Sequence, residues 1–135
     1  MKKKIEKQKV MKFSELENKV AVLWMRGVAE RQEDNYCSLE TQERICKEYA
    51  ARNGITIKKQ YRSVHKSTKT EELHRMIAEV LADREINIIL ISSFDRLSRS
   101  VNEAITTIAH LKSKGVYVIS ATQPTDPNNP IYGLI

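Results

Sequence analysis

The sequence predicts an α/β domain with a doubly wound, mainly parallel sheet of at least four strands and flanking helices. The first observation is that four short apolar segments alternate with three amphipathic ones. The second is that one of these segments, INIILISS at 86–93, is continuously apolar, as expected of a strand covered on both faces. A chain of 135 residues is long enough for one such domain with a single core.

The first half of the chain contains two predicted strands and one predicted helix. The segment KVAVLWM (19–25) predicts the first strand, and Ser38 is a candidate N-cap with Glu40 in the first helical turn. The helix that follows has an apolar side formed by Leu39, Cys46, Tyr49 and Ala50. It is predicted to end at the Asn-Gly pair 53–54, and ITIKKQY (55–61) is a second strand with the mixed character of a sheet edge.

The second half continues the alternation. The apolar face of the second helix has the spacing i, i+3, i+4, i+7, i+8, at Leu73, Met76, Ile77, Val80 and Leu81. After the strand at 86–93, Ser100 and Glu103 stand at capping-box spacing. The third helix is predicted to bury Ala104, Ile105, Ile108 and Leu111. It ends near Gly115, and VYVISA (116–121) is the fourth strand.

The net charge of +6 is unevenly distributed along the chain. Residues 1–19 hold seven lysines and three glutamates, so we divide the chain into a basic N-terminal extension (1–19) and a folded domain (20–135). A second basic stretch, 49–70, has no acidic residue. Its cations are Arg52, Lys58, Lys59, Arg62, Lys66 and Lys69. Such a stretch is typical of a solvated face or of nucleic-acid contact.

Several classes of protein are disfavoured by the sequence. No apolar run approaches the length of a membrane helix, and no apolar segment follows the N-terminal lysines as in a signal peptide. The two cysteines, Cys37 and Cys46, match neither a disulfide framework nor a zinc site. Four glycines without a GxGxxG pattern disfavour a dinucleotide site. We therefore expect a cytoplasmic protein with no membrane partner, no metal and no cofactor.

Basic side chains follow the predicted strands. Because the crevice of a doubly wound sheet lies beyond the carboxyl ends of its strands, the loops at 26–37, 62–70, 94–99 and 122–129 are candidates for the site. They contain Arg26, Arg62, His65, Lys66, Lys69, Asp95, Arg96 and Arg99. Arginine forks match phosphate oxygens, and Arg26 stands where a phospho-accepting receiver domain would need an acid. These residues predict phosphodiester chemistry without metal or nucleotide.

Two segments resemble signatures of the serine recombinases, the resolvase/invertase group. FDRLSRS (94–100) is similar to that family's D-R-L-S-R motif. WMRGVAERQEDNYCSLETQ (24–42) is similar to its first motif, approximately Y-x-R-V-S-T-x-x-Q followed by S-L-x-x-Q. The positions that match are Trp24, Arg26, Gln32, Ser38, Leu39 and Gln42. SKGVYVISATQPTDP resembles the family's last strand and following turn, so the resemblance covers about 20–135.

The resemblance implies a resolvase-like fold and a cofactor-free strand exchange. In this family a serine attacks a DNA phosphate, forms a phosphoserine link and releases a 3′-hydroxyl, while arginines hold the phosphate. By position, Arg26, Arg96 and Arg99 are the implied clamp, and Asp95 orients it. Further implied or predicted DNA and phosphate contacts are Gln32, Gln42, Arg62, Lys66 and Lys69. The nucleophile falls on residue 28, which is Val28.

A valine cannot attack phosphorus, so we expect a mobile-element recombinase homologue that is impaired in strand transfer. The family's strand-2 loop acid and its Arg-Pro pair fall on Ser63 and on Thr70-Glu71, which also weakens the clamp. The alternative is a non-enzymatic, DNA-associated or dimerising module that regulates an active relative. A third possibility is an enzyme with an unusual nucleophile. The two candidates for such a nucleophile have simpler interpretations. Ser38 is favoured as a helix cap, and Cys37 as a loop residue with no general base near it in the sequence.

The expected partners are DNA and other recombinase chains. The resemblance implies a homo-oligomer, a dimer or tetramer in full-length relatives, or a hetero-oligomer with an active recombinase. The expected location is a bacterial-type cytoplasm, at the nucleoid. NNPIYGLI predicts a helix start with Asn129 as N-cap and Pro130 in the first turn. We expect the long dimer helix and the DNA-binding domain of the family to be absent from this sequence, and therefore a monomer or weak dimer.

Overall fold

The computed structural model describes residues 16–27, 38–64, 71–98 and 100–123. These residues form a four-stranded parallel sheet with helices on both faces, which confirms the predicted fold class. The elements in chain order are β1 (Val20–Gly27), α1 (Leu39–Arg52), β2 (Thr56–Val64), α2 (Glu71–Ala82), β3 (Ile88–Ile91), a 3₁₀ helix (Phe94–Arg96), α3 (Val101–Ser113) and β4 (Tyr117–Ser120). None of these helices is both long and apolar enough to cross a membrane, within the described residues.

The strand order is β2-β1-β3-β4. The chain places β2 on one side of β1 and then β3 and β4 on the other side, so the strand order reverses between β1 and β3. Helix α1 covers one face, where Cys46 and Ala50 pack on Leu23, Met25 and Leu90. Helices α2 and α3 cover the other face, with a core formed by Val22, Trp24, Ile89, Ile91, Val118, Leu73, Met76, Val80, Ile108 and Leu111. Side chains of one strand alternate between the two cores because successive strand residues point to opposite faces. Strand β3 is therefore apolar on both faces, and all four residues of β4 are buried.

The predicted helix caps are present, with one difference. The Ser38 hydroxyl accepts a hydrogen bond from the Thr41 amide at 3.1 Å, and Ser100 caps α3 by accepting from the Glu103 amide at 3.3 Å. The expected reciprocal bond of a capping box is replaced. The Glu103 carboxylate accepts from the Ser98 hydroxyl at 3.0 Å, and that hydroxyl accepts from the Ser100 amide at 3.1 Å.

Two strands extend further than predicted, and this changes the position of two arginines. Strand β1 continues to Gly27 and β2 continues to Val64, because their pairing extends through Arg26↔Ser63 and Gly27↔Val64. Arg26 and Arg62 therefore lie within strands and not in the following loops. Strands β3 and β4 are shorter than the apolar runs that predicted them.

Strand β2 lies at the edge of the sheet, as predicted, and contains a bulge. The register passes from Ala21↔Ile57 to Val22↔Lys59, which leaves Lys58 as an extra residue on β2. The bulge changes the alternation along the strand. Before it, Ile57 packs on the α1 side of the sheet, and after it Tyr61 packs on the α2/α3 side.

The predicted apolar helix faces are buried except at their margins. Leu81 is 36% exposed, because eight residues of helix rotate it about 80° away from Leu73. Ile105 of α3 is partly buried. Cys46 of α1 is fully buried, and burial raises the pKa of its thiol to about 12. A thiol of this kind packs as a small apolar side chain and has little reactivity.

Candidate functional site

The candidate site lies at the carboxyl ends of β1 and β3, where the strand order reverses. This is the position at which doubly wound sheets bind their ligands. Strand β1 contributes Arg26, and the 3₁₀ helix that follows β3 contributes Asp95 and Arg96. The structure therefore brings Arg26 next to two adjacent residues, Asp95 and Arg96, that lie 69 and 70 positions further along the sequence.

The Arg96 guanidinium is held on two sides. Its Nη1 donates to the Arg26 carbonyl oxygen at 2.7 Å, while Nε and Nη2 donate to the two carboxylate oxygens of Asp95 at 3.3 Å each. The Arg26 guanidinium also reaches this cluster, with Nη2 3.4 Å from the Asp95 carbonyl oxygen. The Arg96 side chain is 16% exposed and that of Asp95 is 63% exposed. The arrangement fixes one partly exposed guanidinium in the crevice.

Asp95 is the acidic member of the cluster. Burial tends to raise the pKa of its carboxyl, but the hydrogen bonds from Ser93 and Arg96 and the charges of Arg96 and Arg26 together hold that pKa below its usual value. The carboxyl is therefore ionised at neutral pH. Three unit charges, two positive and one negative, leave the cluster with a positive excess that suits an anion.

Two buried side chains hold the backbone of the site arginines. The Trp24 indole nitrogen donates to the Arg96 carbonyl oxygen at 2.8 Å, and Trp24 is 3% exposed. The Gln42 amide pairs with both backbone groups of Arg26: Oε1 accepts from the amide at 3.1 Å, and Nε2 donates to the carbonyl at 2.8 Å.

Gln42 is 1% exposed, so its amide lies beneath the surface of the crevice. The structure thus gives Gln42 a positioning role, and its predicted phosphate contact stays a prediction.

Polar residues beyond β4 brace the 3₁₀ helix from the other side. Gln123 accepts a hydrogen bond from the Phe94 amide at 2.7 Å, and the Thr122 hydroxyl donates to the Ser92 carbonyl at 2.5 Å. These residues were not among the predicted site residues, and neither was Ser93, whose hydroxyl donates to the Asp95 carboxylate. The sequence feature that could have identified Ser93 is its position two residues before Asp95. The loops at 94–99 and 122–129 were expected at the same edge of the sheet, but no motif pairs Gln123 with Phe94.

Arg62 does not join the cluster. It is registered with Met25, whose side chain packs on the α1 side of the sheet, and its guanidinium forms an ion pair with Glu43 of α1. Arg26 occupies the next position of β1 and points to the opposite face. Arg62 therefore lies on the other face of the sheet from the Arg26 side chain.

The described part of the basic stretch, 49–64, is largely neutralised by residues distant in sequence. Lys58 pairs with Asp83 and Glu85 at 2.7 Å each, and Lys59 pairs with Glu79 at 3.2 Å. Together with the Arg62–Glu43 pair, three of its four described cations have carboxylate partners. For these residues the contacts favour the solvated face over nucleic-acid contact, the two interpretations that the sequence left open.

The remaining predicted site residues lie outside the described residues and stay predictions. They are Val28, Gln32, Lys66, Lys69 and Arg99. In the described ranges, no group of three histidine, cysteine or acidic side chains is arranged to hold a metal ion. The Ser38 hydroxyl donates to the Thr41 hydroxyl at 2.8 Å and caps α1, which agrees with its structural interpretation.

Fold and site define the class of protein: a doubly wound α/β domain with an arginine-carboxylate cluster at its switch point. The family model described as "Resolvase, N terminal domain" matches residues 21–135. The chain therefore belongs to the resolvase family of serine recombinases, which confirms the resemblance seen in the two motifs.

Solved structures with this fold agree. The chain is similar to a resolvase family site-specific recombinase from Streptococcus pneumoniae, with a TM-score of 0.66 and 23% identity over 77% of this chain and 72% of that chain. It is also similar to the N-terminal catalytic domain of TP901-1 integrase, with a TM-score of 0.62 and 23% identity over 77% of each chain.

A third similar structure is the C-terminal catalytic domain of ISC1926 TnpA, an IS607-like serine recombinase. Its TM-score is 0.64, with 20% identity over 84% of this chain and 76% of that chain. At these identities the likeness concerns the fold. The search of curated proteins finds no match.

Proposed function

We propose that this chain is a site-specific recombinase homologue whose crevice holds a DNA phosphate with Arg26 and Arg96, and which does not carry out strand transfer through residue 28. The observation that carries the proposal is the convergence of both guanidinia on Asp95 at the switch point of a resolvase-family domain. The structural neighbours, which are recombinase, integrase and transposase catalytic domains, support the DNA substrate.

The chemistry of the cluster suits phosphate recognition. Arginine has five N–H donors, and the three bonds of Arg96 within the site leave one N–H on each Nη for oxyanions. Two parallel N–H groups match the oxygens of a phosphodiester. Strand transfer needs one further group, a hydroxyl that forms the covalent bond to phosphorus while the 3′-oxygen leaves. Val28 has no such group.

The DNA-binding part of the proposal is tested by fluorescence anisotropy with a short labelled duplex at several salt concentrations. We expect weak, non-specific binding that weakens steeply with salt, because phosphate contacts release counterions. Arg26→Gln should reduce affinity about tenfold, the effect of losing a charge-assisted hydrogen bond. Arg44→Gln is the control, since Arg44 lies on α1 and pairs with Glu48. Equal affinities for the two variants would contradict the proposal.

The strand-transfer part is tested by incubation with supercoiled and nicked plasmid, followed by denaturing electrophoresis for a protein–DNA adduct. We expect no adduct from the natural chain. Val28→Ser is the informative variant, because it restores a hydroxyl at the family's nucleophile position. An adduct that forms without this substitution would show that another residue is the nucleophile.

The second candidate function is a non-enzymatic partner of an active recombinase, and the valine at position 28 is the observation that favours it. Such a chain would form homo-oligomers, or hetero-oligomers in which it contributes DNA contacts without cutting. Co-purification with an active resolvase-family enzyme, and a measured change in that enzyme's recombination rate, distinguish this role from a chain with no remaining function.

A further inference from the structure

Ser93 occupies an unusual position at the start of the 3₁₀ helix. Its backbone is extended, with φ −154° and ψ 160°, and its side chain forms no capping hydrogen bond to the helix. A serine at this position ordinarily accepts a hydrogen bond from a helical amide. Here the hydroxyl instead donates to Oδ1 of Asp95. The side chain is therefore used to hold a carboxylate.

We propose that Ser93 is a positioning residue of the crevice: its hydroxyl holds the Asp95 carboxylate, and through it sets the Arg96 guanidinium for an anionic phosphodiester. This inference rests on the proposed function, because the phosphodiester is the ligand proposed there. It adds a member to the site that neither of the two family motifs includes.

The exposure of Asp95 explains why a third group is needed. Its side chain is 63% exposed, and an exposed carboxylate that pairs with an adjacent guanidinium ordinarily contributes little order. A hydrogen bond from a hydroxyl to an ionised carboxylate is stronger than one between neutral groups. With Oδ1 held by Ser93, both carboxylate oxygens face Nε and Nη2 of Arg96.

The consequence is a guanidinium with a single orientation before DNA arrives. Nη1 is already bonded to the Arg26 carbonyl at 2.7 Å, so Arg96 is fixed from the β1 side and from the Asp95 side. Loss of the Ser93 hydroxyl would free the carboxylate and leave only the β1 contact. An arginine that must be ordered at the moment of binding loses affinity through side-chain entropy.

The same geometry argues against Ser93 as a substitute nucleophile. To attack phosphorus, the hydroxyl would have to pass its proton to Asp95, the acceptor of its hydrogen bond. The charges of Arg96 and Arg26 favour the ionised form of that carboxyl, which makes it a weak base. Ser93 therefore acts through Asp95 and not on the substrate.

The test compares Ser93→Ala and Ser93→Thr with the natural chain. The first readout is the titration of the Asp95 carboxyl carbon by NMR without DNA, with the resonance assigned through Asp95→Asn. We expect the alanine variant to move the Asp95 pKa upward and the threonine variant, which keeps a hydroxyl, to restore it. A side chain with only a packing role would not produce this pattern.

The second readout is affinity for a short labelled duplex. We expect a loss of about two- to tenfold for Ser93→Ala, the range of one hydrogen bond, and recovery for Ser93→Thr. Ser113→Ala is the matched control, because its hydroxyl donates to the His110 carbonyl at 2.6 Å at the far end of α3. Thermal unfolding of each variant verifies that the fold is retained.

An Asp95 titration and a DNA affinity that are both unchanged in Ser93→Ala would overturn the inference. A covalent DNA adduct that disappears in Ser93→Ala would overturn it in favour of a nucleophile. If the natural chain binds no DNA, the proposed function fails. The Asp95 titration then still decides, without DNA, whether Ser93 sets the carboxylate.

Discussion

The crevice and the β2 edge contain the same kinds of basic side chain, but their charges have different partners. In the crevice, Arg96 bonds to one carboxylate and to the Arg26 carbonyl, and Arg26 bonds to the Asp95 carbonyl. At the β2 edge, the basic side chains pair with the carboxylates of α1, α2 and the loop after α2. The edge pairs are Lys58 with Asp83 and Glu85, Lys59 with Glu79, and Arg62 with Glu43.

The difference shows how a protein keeps a positive charge available. A carbonyl oxygen accepts a hydrogen bond from the guanidinium and orients it without cancelling its charge. A carboxylate also accepts and orients, but its negative charge cancels the positive one. The Asp95 carboxylate accepts from the Arg96 guanidinium, whereas the Arg26 guanidinium donates to the Asp95 carbonyl. A count of basic residues along the sequence would rank the β2 edge above the crevice. The contacts reverse that order.

The largest difference is expected in DNA affinity. Arg96→Gln should weaken binding to a short duplex by about tenfold or more, because it removes a charge-assisted phosphate contact and frees Asp95. Lys58→Gln should change affinity less than twofold, since its charge is already matched by Asp83 and Glu85. Anisotropy titrations at one fixed salt concentration compare the two. Similar losses would remove the distinction between the regions.

The two regions are also expected to differ in how much their polar contacts contribute to stability, and substitution of Gln42 tests this in the crevice. Gln42→Ala removes two hydrogen bonds to the Arg26 backbone from a side chain that is 1% exposed, and should lower the free energy of unfolding by about 1–3 kcal/mol. Lys58→Ala is the control at the edge, where exposed ion pairs contribute little. Urea unfolding should show a lower midpoint for the first variant and an unchanged one for the second.

The β2 edge can be given a larger positive charge by removing carboxylates that pair with its lysines. The double variant Asp83→Asn, Glu85→Gln removes both partners of Lys58 and leaves its ammonium uncompensated. We expect non-specific DNA affinity to rise, and the slope of log affinity against log salt to steepen by up to about 0.9 if Lys58 then contacts a phosphate. An unchanged slope would mean that the β2 edge does not face DNA.

The smallest expected effect is in the pH dependence of stability. The hydrogen bond from Lys58, first among several contributions, holds the pKa of Asp83 below its usual value. A carboxyl with a depressed folded-state pKa stabilises the protein above its unfolded pKa, and this contribution is lost as pH falls through the folded value. Asp83→Asn should therefore flatten the acid side of a plot of melting temperature against pH. A curve parallel to that of the natural chain would contradict the pairing with Lys58.

The sequence by itself determined the alternation of strands and helices, both serine caps and the meeting of Arg26, Asp95 and Arg96. Periodicity and capping depend on residues within one or two turns, and are therefore legible in a single sequence. The meeting of the three site residues followed from the rule that the carboxyl ends of parallel strands lie at one edge. Each motif places one described arginine, Arg26 or Arg96, at or just after such an end.

The tertiary structure alone decided which charges remain available and what holds them. The partners of Lys58, Lys59 and Arg62 lie 19 to 27 residues away in sequence, on helices or loops whose packing no local pattern specifies. Gln42 had the motif position of a ligand contact, but the packing of α1 on β1 directs its amide to the Arg26 backbone. Such contacts depend on the packing of elements that are distant in the chain, and this packing is not encoded in any local spacing.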